Sequence, residues 1–157
     1  MEEEAMAMYP MTPELAVAQV AIREVLSRYA HMAREGGDLD AMAELFTPDA
    51  AFILPDGTPV SRHEIYKIVG HPPVYIRHHI TTIVIDFVGE DTARAKSFFF
   101  TATEKAMPDH WGYWDDELRL VDDGRWLISR KAPIIEGFAP DGDWPLGPWA
   151  NIKQTVS

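Results

Sequence analysis

Apolar residues recur at helical spacing in the first part of the chain and at alternate positions in the second, and this change of period divides it. Ile22, Val25, Leu26, Tyr29 and Ala33 fall at i, i+3, i+4, i+7 and i+11, one continuous stripe, with Glu24, Arg28, His31 and Glu35 opposite. The stripe predicts a long helix over TPELAVAQVAIREVLSRYAHMAREGG. Thr12 is its N-cap, Pro13 its first helical residue, and Gly36 and Gly37 its stop. Asp38 is placed to cap a short second helix, LDAMAELF. AAFIL reads as a short strand with a turn at PDG. SRHEIYKIVG predicts a third helix, because Ser61 and Glu64 form an S-x-x-E capping box and Gly70 ends it.

After HPP the period becomes two. YIRHHITTIVIDFV, TARAKSFFFTATEKA, WGYWDDELRLV and RWLISRKAPIIEGF read as four β segments on short connections, which predicts an antiparallel meander. Three helices followed by a curled sheet predict an α+β fold with the helices on one face. Residues 1–12 read as a loose leader and 139–157 as a Pro/Gly/Trp-rich tail of one domain spanning 1–157.

Composition narrows the function classes. A chain of 157 residues buries roughly 70% of its unfolded surface, enough for a core without staples. The absence of cysteine excludes disulfides and thiolate chemistry. A net charge of −11 argues against nucleic acid and anionic membranes as partners. No apolar run reaches membrane-spanning length, and MEEEAMAMYPMTP lacks the regions of a signal peptide, so a cytoplasmic location is expected. G-x-G-x-x-G, P-loop, H-E-x-x-H and G-x-S-x-G motifs are absent. No helical pair of ligands offers a metal site except His31 with Glu35 on the polar stripe, so neither metal nor cofactor is expected.

The titratable residues of the β segments carry the candidate chemistry. His78 and His79 are adjacent on one strand and must face opposite ways. Alternation groups His79 with Thr81, Ile83, Ile85 and Phe87, the more apolar set, and so favours His79 facing the core. A bulge would reverse that parity. Either histidine also reads as an ordinary hydrogen-bonded strand residue. Asp116 shares a face with Gly112, Trp114, Leu118 and Leu120, where burial would raise its pKa unless a cation compensates. One of Arg130 and Lys131 faces inward, and Lys131 is a candidate to balance Asp116 or bind an anionic group. Tyr29 on the helical stripe reads as core or as a hydrogen-bond donor. Phe98, Phe99, Phe100, Trp111 and Trp114 suit a core or the wall of an apolar pocket.

The helix pair RYAHMAREGGDLDAMAELFTPDAAF, then RHHITT, GYWDDELRLVDDGRW and WLISRKAPIIEG, in this order over roughly residues 14–138, resemble the SnoaL-like branch of the NTF2-like superfamily. The resemblance implies a cone: a strongly curved, mainly antiparallel sheet wrapped on three helices around a deep apolar pocket. It implies relatives such as scytalone dehydratase, bile acid dehydratases, polyketide cyclases and ketosteroid isomerases. It places the family's catalytic histidine at His78, with Thr82 where the family has asparagine, and its helix tyrosine at Tyr29. The family's helix acid falls on Arg34, so Glu35 or Asp116 is expected to pair with His78. The family's inward arginine falls on Lys131.

The expected function is a cofactor-independent lyase or isomerase, of dehydratase or cyclase type, using histidine general acid–base catalysis. Its ligand would be a small hydrophobic carbonyl or hydroxy compound such as a polyketide, steroid or aromatic-derived metabolite. The expected site is His78, Asp116, Tyr29 and Glu35, with Lys131, Trp114, Thr82, Phe98, Phe100 and Trp111 around the substrate. The other reading is a non-catalytic ligand-binding or structural subunit like the β subunit of ring-hydroxylating dioxygenases. Either would form a homodimer or homotrimer, since the outer face of the sheet needs cover.

Overall fold

The computed structural model describes residues 10–70 and 72–152. Most of the expected leader and the last five residues of the tail lie outside them. Helix α1 runs Pro13–Met32 and buries Ile22, Leu26, Tyr29 and Ala30. The Thr12 hydroxyl accepts the Leu15 N–H at 3.3 Å at its start. The helix stops one turn before the glycines, at Ala33, whose backbone leaves the α region. Helix α2, Leu39–Ala43, is capped by the Asp38 carboxylate, which accepts from the N–H groups of Asp40 at 3.1 Å and Ala41 at 3.0 Å.

The third expected helix is only a 3-10 turn, Ile65–Ile68. The capping box has closed on itself. The Glu64 carboxylate accepts from both the N–H and the hydroxyl of Ser61 and pairs with Lys67, so no side chain caps the turn. Among the described residues two α-helices therefore stand where three were expected.

The strands are β1 Phe46–Ile53, β2 Pro59–Val60, β3 Ile76–Phe87, β4 Thr92–Thr103, β5 His110–Leu120 and β6 Trp126–Phe138. They form one sheet in the order β2-β1-β6-β5-β4-β3. β3 to β6 make the antiparallel meander, and β1 begins earlier than AAFIL and joins β6 in parallel. Register shifts interrupt the β3–β4, β5–β6 and β1–β6 pairings. Each shift bends the sheet locally and tightens its twist. Gly112 sits at one of them, where a Cβ would collide with the Ile134 carbonyl, so the bend requires a residue without a side chain.

The concave face packs on α1 and α2 around Ile22, Leu26, Phe46, Phe52, Leu118 and Ile128. Among the described residues, no helix is long and apolar enough to cross a membrane.

Candidate active site

The concave face leaves a cavity of about 530 Å³ beside the core. It lies between the C-terminal end of α1, α2, the 3-10 turn and the inner face of the meander, and residues Trp144, Gly147 and Trp149 close one side. Its size suits a drug-sized small molecule.

A bulge aims the histidines. β3 and β4 pair in step from Ile76 to Thr81, slip between Thr81 and Val84, and resume in step to Phe87. Thr82 lies inside the slip with φ of 50°, a left-handed conformation rare for threonine. Before the bulge, Ile76, His78 and Ile80 face the concavity; after it, Ile83, Ile85 and Phe87 do. His78 thus shares a face with the apolar set that uninterrupted alternation assigns to His79. His79 is exposed and stacks on Phe100 at 4.8 Å on the outer face.

His78 lines the cavity. Its Nδ1 lies 2.8 Å from the carbonyl oxygen of Ala33. A carbonyl only accepts, so Nδ1 carries the proton and Nε2 is the basic nitrogen. The early end of α1 supplies that acceptor, since the last carbonyls of a helix have no partner within it. Phe99, Trp114 and His110 pack around the ring at 6.0–6.3 Å between centroids. Burial, then the neighbouring His110, Lys131 and His79 charges, push its pKa down to about 3 against the pull of the Ala33 carbonyl. The imidazole is therefore neutral at physiological pH.

The carboxylates expected beside His78 are engaged elsewhere. Glu35 grips Arg77 at 2.7 Å and accepts the Ile76 N–H at 2.9 Å. These bonds, Arg77 first, hold its carboxyl at about 2. Arg77 is next to His78 in sequence, so Glu35 clamps the start of β3 at the cavity rim. Asp116 pairs with Lys131 at 3.1 Å, and both are fully buried. Burial pushes Asp116 up and Lys131 down, and each partner pulls the other back toward its charged form. The Lys131 ammonium lies 3.6 Å from the Trp114 ring and 4.3 Å from the Tyr29 ring, so the ion pair sits behind the aromatic wall of the cavity.

Tyr29 and Trp114 form that wall and meet edge to face at 5.2 Å. Burial and the Asp116 charge raise the Tyr29 phenol, which stays a proton donor. Phe98, Phe100 and Trp111, expected around the substrate, lie on the outer face; Phe99 is the inward member of its run. Thr82 is exposed at the bulge.

The histidine–carboxylate pair of this cavity is Asp109–His110, which the sequence reading passed over. His110 Nδ1–H donates to Asp109 at 2.8 Å, and its Nε2 lies 3.1 Å from the Thr101 hydroxyl. Both residues line the cavity and are almost wholly enclosed. Asp109 also accepts from the Thr103 hydroxyl at 3.1 Å and from the N–H groups of Asp143 and Trp144. Burial pushes its carboxyl up, but the hydrogen bonds, that of His110 first, outweigh it and the net direction is down. The signal was available: two steps back along β5, the face of Gly112, Trp114 and Asp116 begins with His110. Among the described residues, no group of three or more His, Asp or Glu side chains gathers to hold a metal ion.

A strongly bent sheet folded over helices, with one histidine-bearing apolar cavity inside, defines the NTF2-like cone. The SnoaL-like domain family matches residues 15–132, and the chain belongs to it. No curated protein matches it. Solved structures with the same fold include a candidate scytalone dehydratase from Novosphingobium aromaticivorans, 23% identical over 82% of this chain and 91% of that one, with a TM-score of 0.67. A candidate aromatic ring hydroxylase from Novosphingobium aromaticivorans is 21% identical over 81% and 93%, with a TM-score of 0.64. A hexachlorocyclohexane dehydrochlorinase from Novosphingobium barchaimii LL02 is 14% identical over 81% and 92%, with a TM-score of 0.69. At these identities the likeness is one of fold.

Proposed function

We propose that the protein is a cofactor-independent lyase or isomerase of dehydratase type, acting on a small, uncharged, hydrophobic carbonyl or hydroxy compound. One observation carries this reading: a neutral imidazole, fixed in one tautomer by a main-chain carbonyl, in an apolar cavity shared with a phenol that keeps its proton. His78 Nε2 takes a proton from carbon. The C–H electron pair moves toward a neighbouring carbonyl or expels a leaving group on the next carbon. Tyr29 O–H donates to the oxygen where charge collects, and the imidazolium returns its proton to the departing oxygen or to a second carbon. General base transfer is worth roughly 100- to 10,000-fold when the base titrates near the working pH; an imidazole held down at about 3 works at the low end of that range. A donor placed on the developing oxyanion adds about 100- to 1,000-fold. The Asp109–His110 pair packs its ring edge to face against the His78 imidazole and helps fix its position. Two of the fold neighbours carry names of elimination enzymes, one removing water and one hydrogen chloride.

The test is carbon–hydrogen exchange. Hydrophobic ketones and β-hydroxy ketones are incubated with the protein in D₂O and followed by NMR. Exchange beside the carbonyl, abolished in His78→Ala and weakened in Tyr29→Phe, is the expected result. No exchange or elimination from any compound would sink the reading. The non-catalytic subunit would then lead, and one observation favours it: Glu35 is bound to Arg77, so among the described residues no carboxylate bonds to His78. That reading requires a larger partner subunit to co-purify. In either case we expect a homodimer or homotrimer over the outer face, where Phe98 is 49% and Trp111 37% exposed.

A further inference from the structure

Residues 139–149 cross the side of the cavity as a strap outside the sheet. Its first fastening is Asp109. The Ala139 N–H donates to the Asp109 main-chain carbonyl at 2.6 Å, and the N–H groups of Asp143 and Trp144 donate to its carboxylate. A Cβ at Gly142 would overlap that carboxylate, so the strap closes down on it. The second fastening is the Trp144 ring on His110, with centroids 4.6 Å apart. The third lies across the cavity, where Trp149 Nε1–H donates to the Ile68 carbonyl at 2.9 Å and Pro148 packs against Gly70.

These fastenings are unequal. Asp109 is buried and holds the strap by three bonds, two of them charge-assisted, from the N–H groups of Asp143 and Trp144 to its carboxylate. The far end rests on one hydrogen bond, the Pro148–Gly70 contact and the half-buried Trp149 ring against the edge of the core, and a single hydrogen bond is worth only about 1 kcal/mol net. Segments without a ladder and with few buried contacts open far below the global unfolding energy. There is also room to move. A second pocket of about 380 Å³, open to solvent, borders Trp144 and Trp149, with Pro55, Ile135 and Ile152 around it. A close-packed interior would leave those rings nowhere to go.

We propose that the strap is the gate of the cavity, latched at Asp109, and that an uncharged apolar molecule passes where Trp149 and Pro148 part from Ile68 and Gly70. Asp109 also receives the His110 Nδ1–H, so closure of the strap and the setting of His110 share one carboxylate. Asp109 is a positioning residue in this scheme. The inference rests on the cavity being a binding site for such a molecule, as proposed above, and on no catalytic step.

A side chain at Gly70 would press on Pro148 and on the backbone of residues 147 and 148, so Gly70→Ala should prise the far end open. The probe is N-phenyl-1-naphthylamine, a neutral apolar fluorophore, mixed with protein by stopped flow. Gly70→Ala should take up the probe several-fold faster than the wild type, as expected of a loosened lid. Equal rates in the two proteins overturn the gate. Trp149→Phe, which removes the N–H to Ile68 together with part of the ring packed at the edge of the core, should speed uptake several-fold, and an unchanged rate counts against the gate in the same way. Asp109→Asn should speed uptake and raise acrylamide quenching of tryptophan; wild-type behaviour in a natively folded Asp109→Asn variant removes the latch. Failure of every variant to bind the probe also overturns the proposal. Probe uptake needs no turnover, so gated uptake without carbon–hydrogen exchange would defeat the catalytic reading alone.

Discussion

His78 should make the protein lose stability between neutral and mildly acidic pH, and His78→Asn should remove most of that loss. In the folded chain the imidazole pKa lies near 3, against about 6.5 for a free histidine side chain. Between those values the unfolded chain binds a proton that the native protein refuses, so stability rises with pH. The contribution is fully present above the unfolded pKa and is lost progressively as pH falls toward the folded value. Each pH unit inside the window is worth about 1.4 kcal/mol, and integration from about pH 7 to about pH 5 gives about 2 kcal/mol. Glu35, held near 2, acts in the same direction but from about its unfolded pKa of 4.5 downward, below this interval. Asparagine suits the test because its amide nitrogen can still donate to the Ala33 carbonyl. The assay is urea denaturation followed by tryptophan fluorescence at three pH values in this interval. Wild type should lose about 2 kcal/mol across it and the variant a small fraction of that. Parallel losses in the two proteins would refute the reasoning: His78 would then be neither dry nor held neutral.

Three further outcomes follow from the geometry. Asp116→Asn leaves the Lys131 ammonium buried without its partner and should cost about 3–5 kcal/mol in a urea melt, whereas Asp116→Leu with Lys131→Met should recover most of it. Thr82→Gly relieves a left-handed threonine at the β3 bulge and should change thermal stability by up to about 1 kcal/mol in the favourable direction; a clear loss would mean that the threonine side chain helps hold the bulge. Gly142→Ala presses a methyl on the Asp109 carboxylate and should destabilise by about 1–3 kcal/mol, read as a lowered melting temperature.

Much of the architecture is local and therefore legible in sequence. The stripe ending at Tyr29 builds α1, Thr12 and Asp38 cap their helices, and the alternation of β4 to β6 lays out the meander. These features depend on residues within a few positions of one another. The third expected helix failed for a reason of the same range: Glu64 satisfied Ser61 and Lys67 and left no cap for a longer helix.

The site is different in kind. Order and type of its residues put His78, Tyr29 and Trp114 in the chain, and the resemblance of RHHITT to the family's pattern drew the expectation to His78. Alternation alone chose His79, because the slip between Thr81 and Val84 is decided by pairing with β4, not by β3 itself. Glu35 went to Arg77 because two charges at the rim met across 42 positions of chain, and Asp116 went to Lys131 on the neighbouring strand. Asp109 became the hub of a histidine pair and a strap only when residues 143 and 144 came back over it. The sequence determined which elements form and which faces are apolar, since those are short-range properties. The tertiary structure alone decided which acid meets which base, since a partner is chosen by distance after the sheet has bent and not by spacing along the chain.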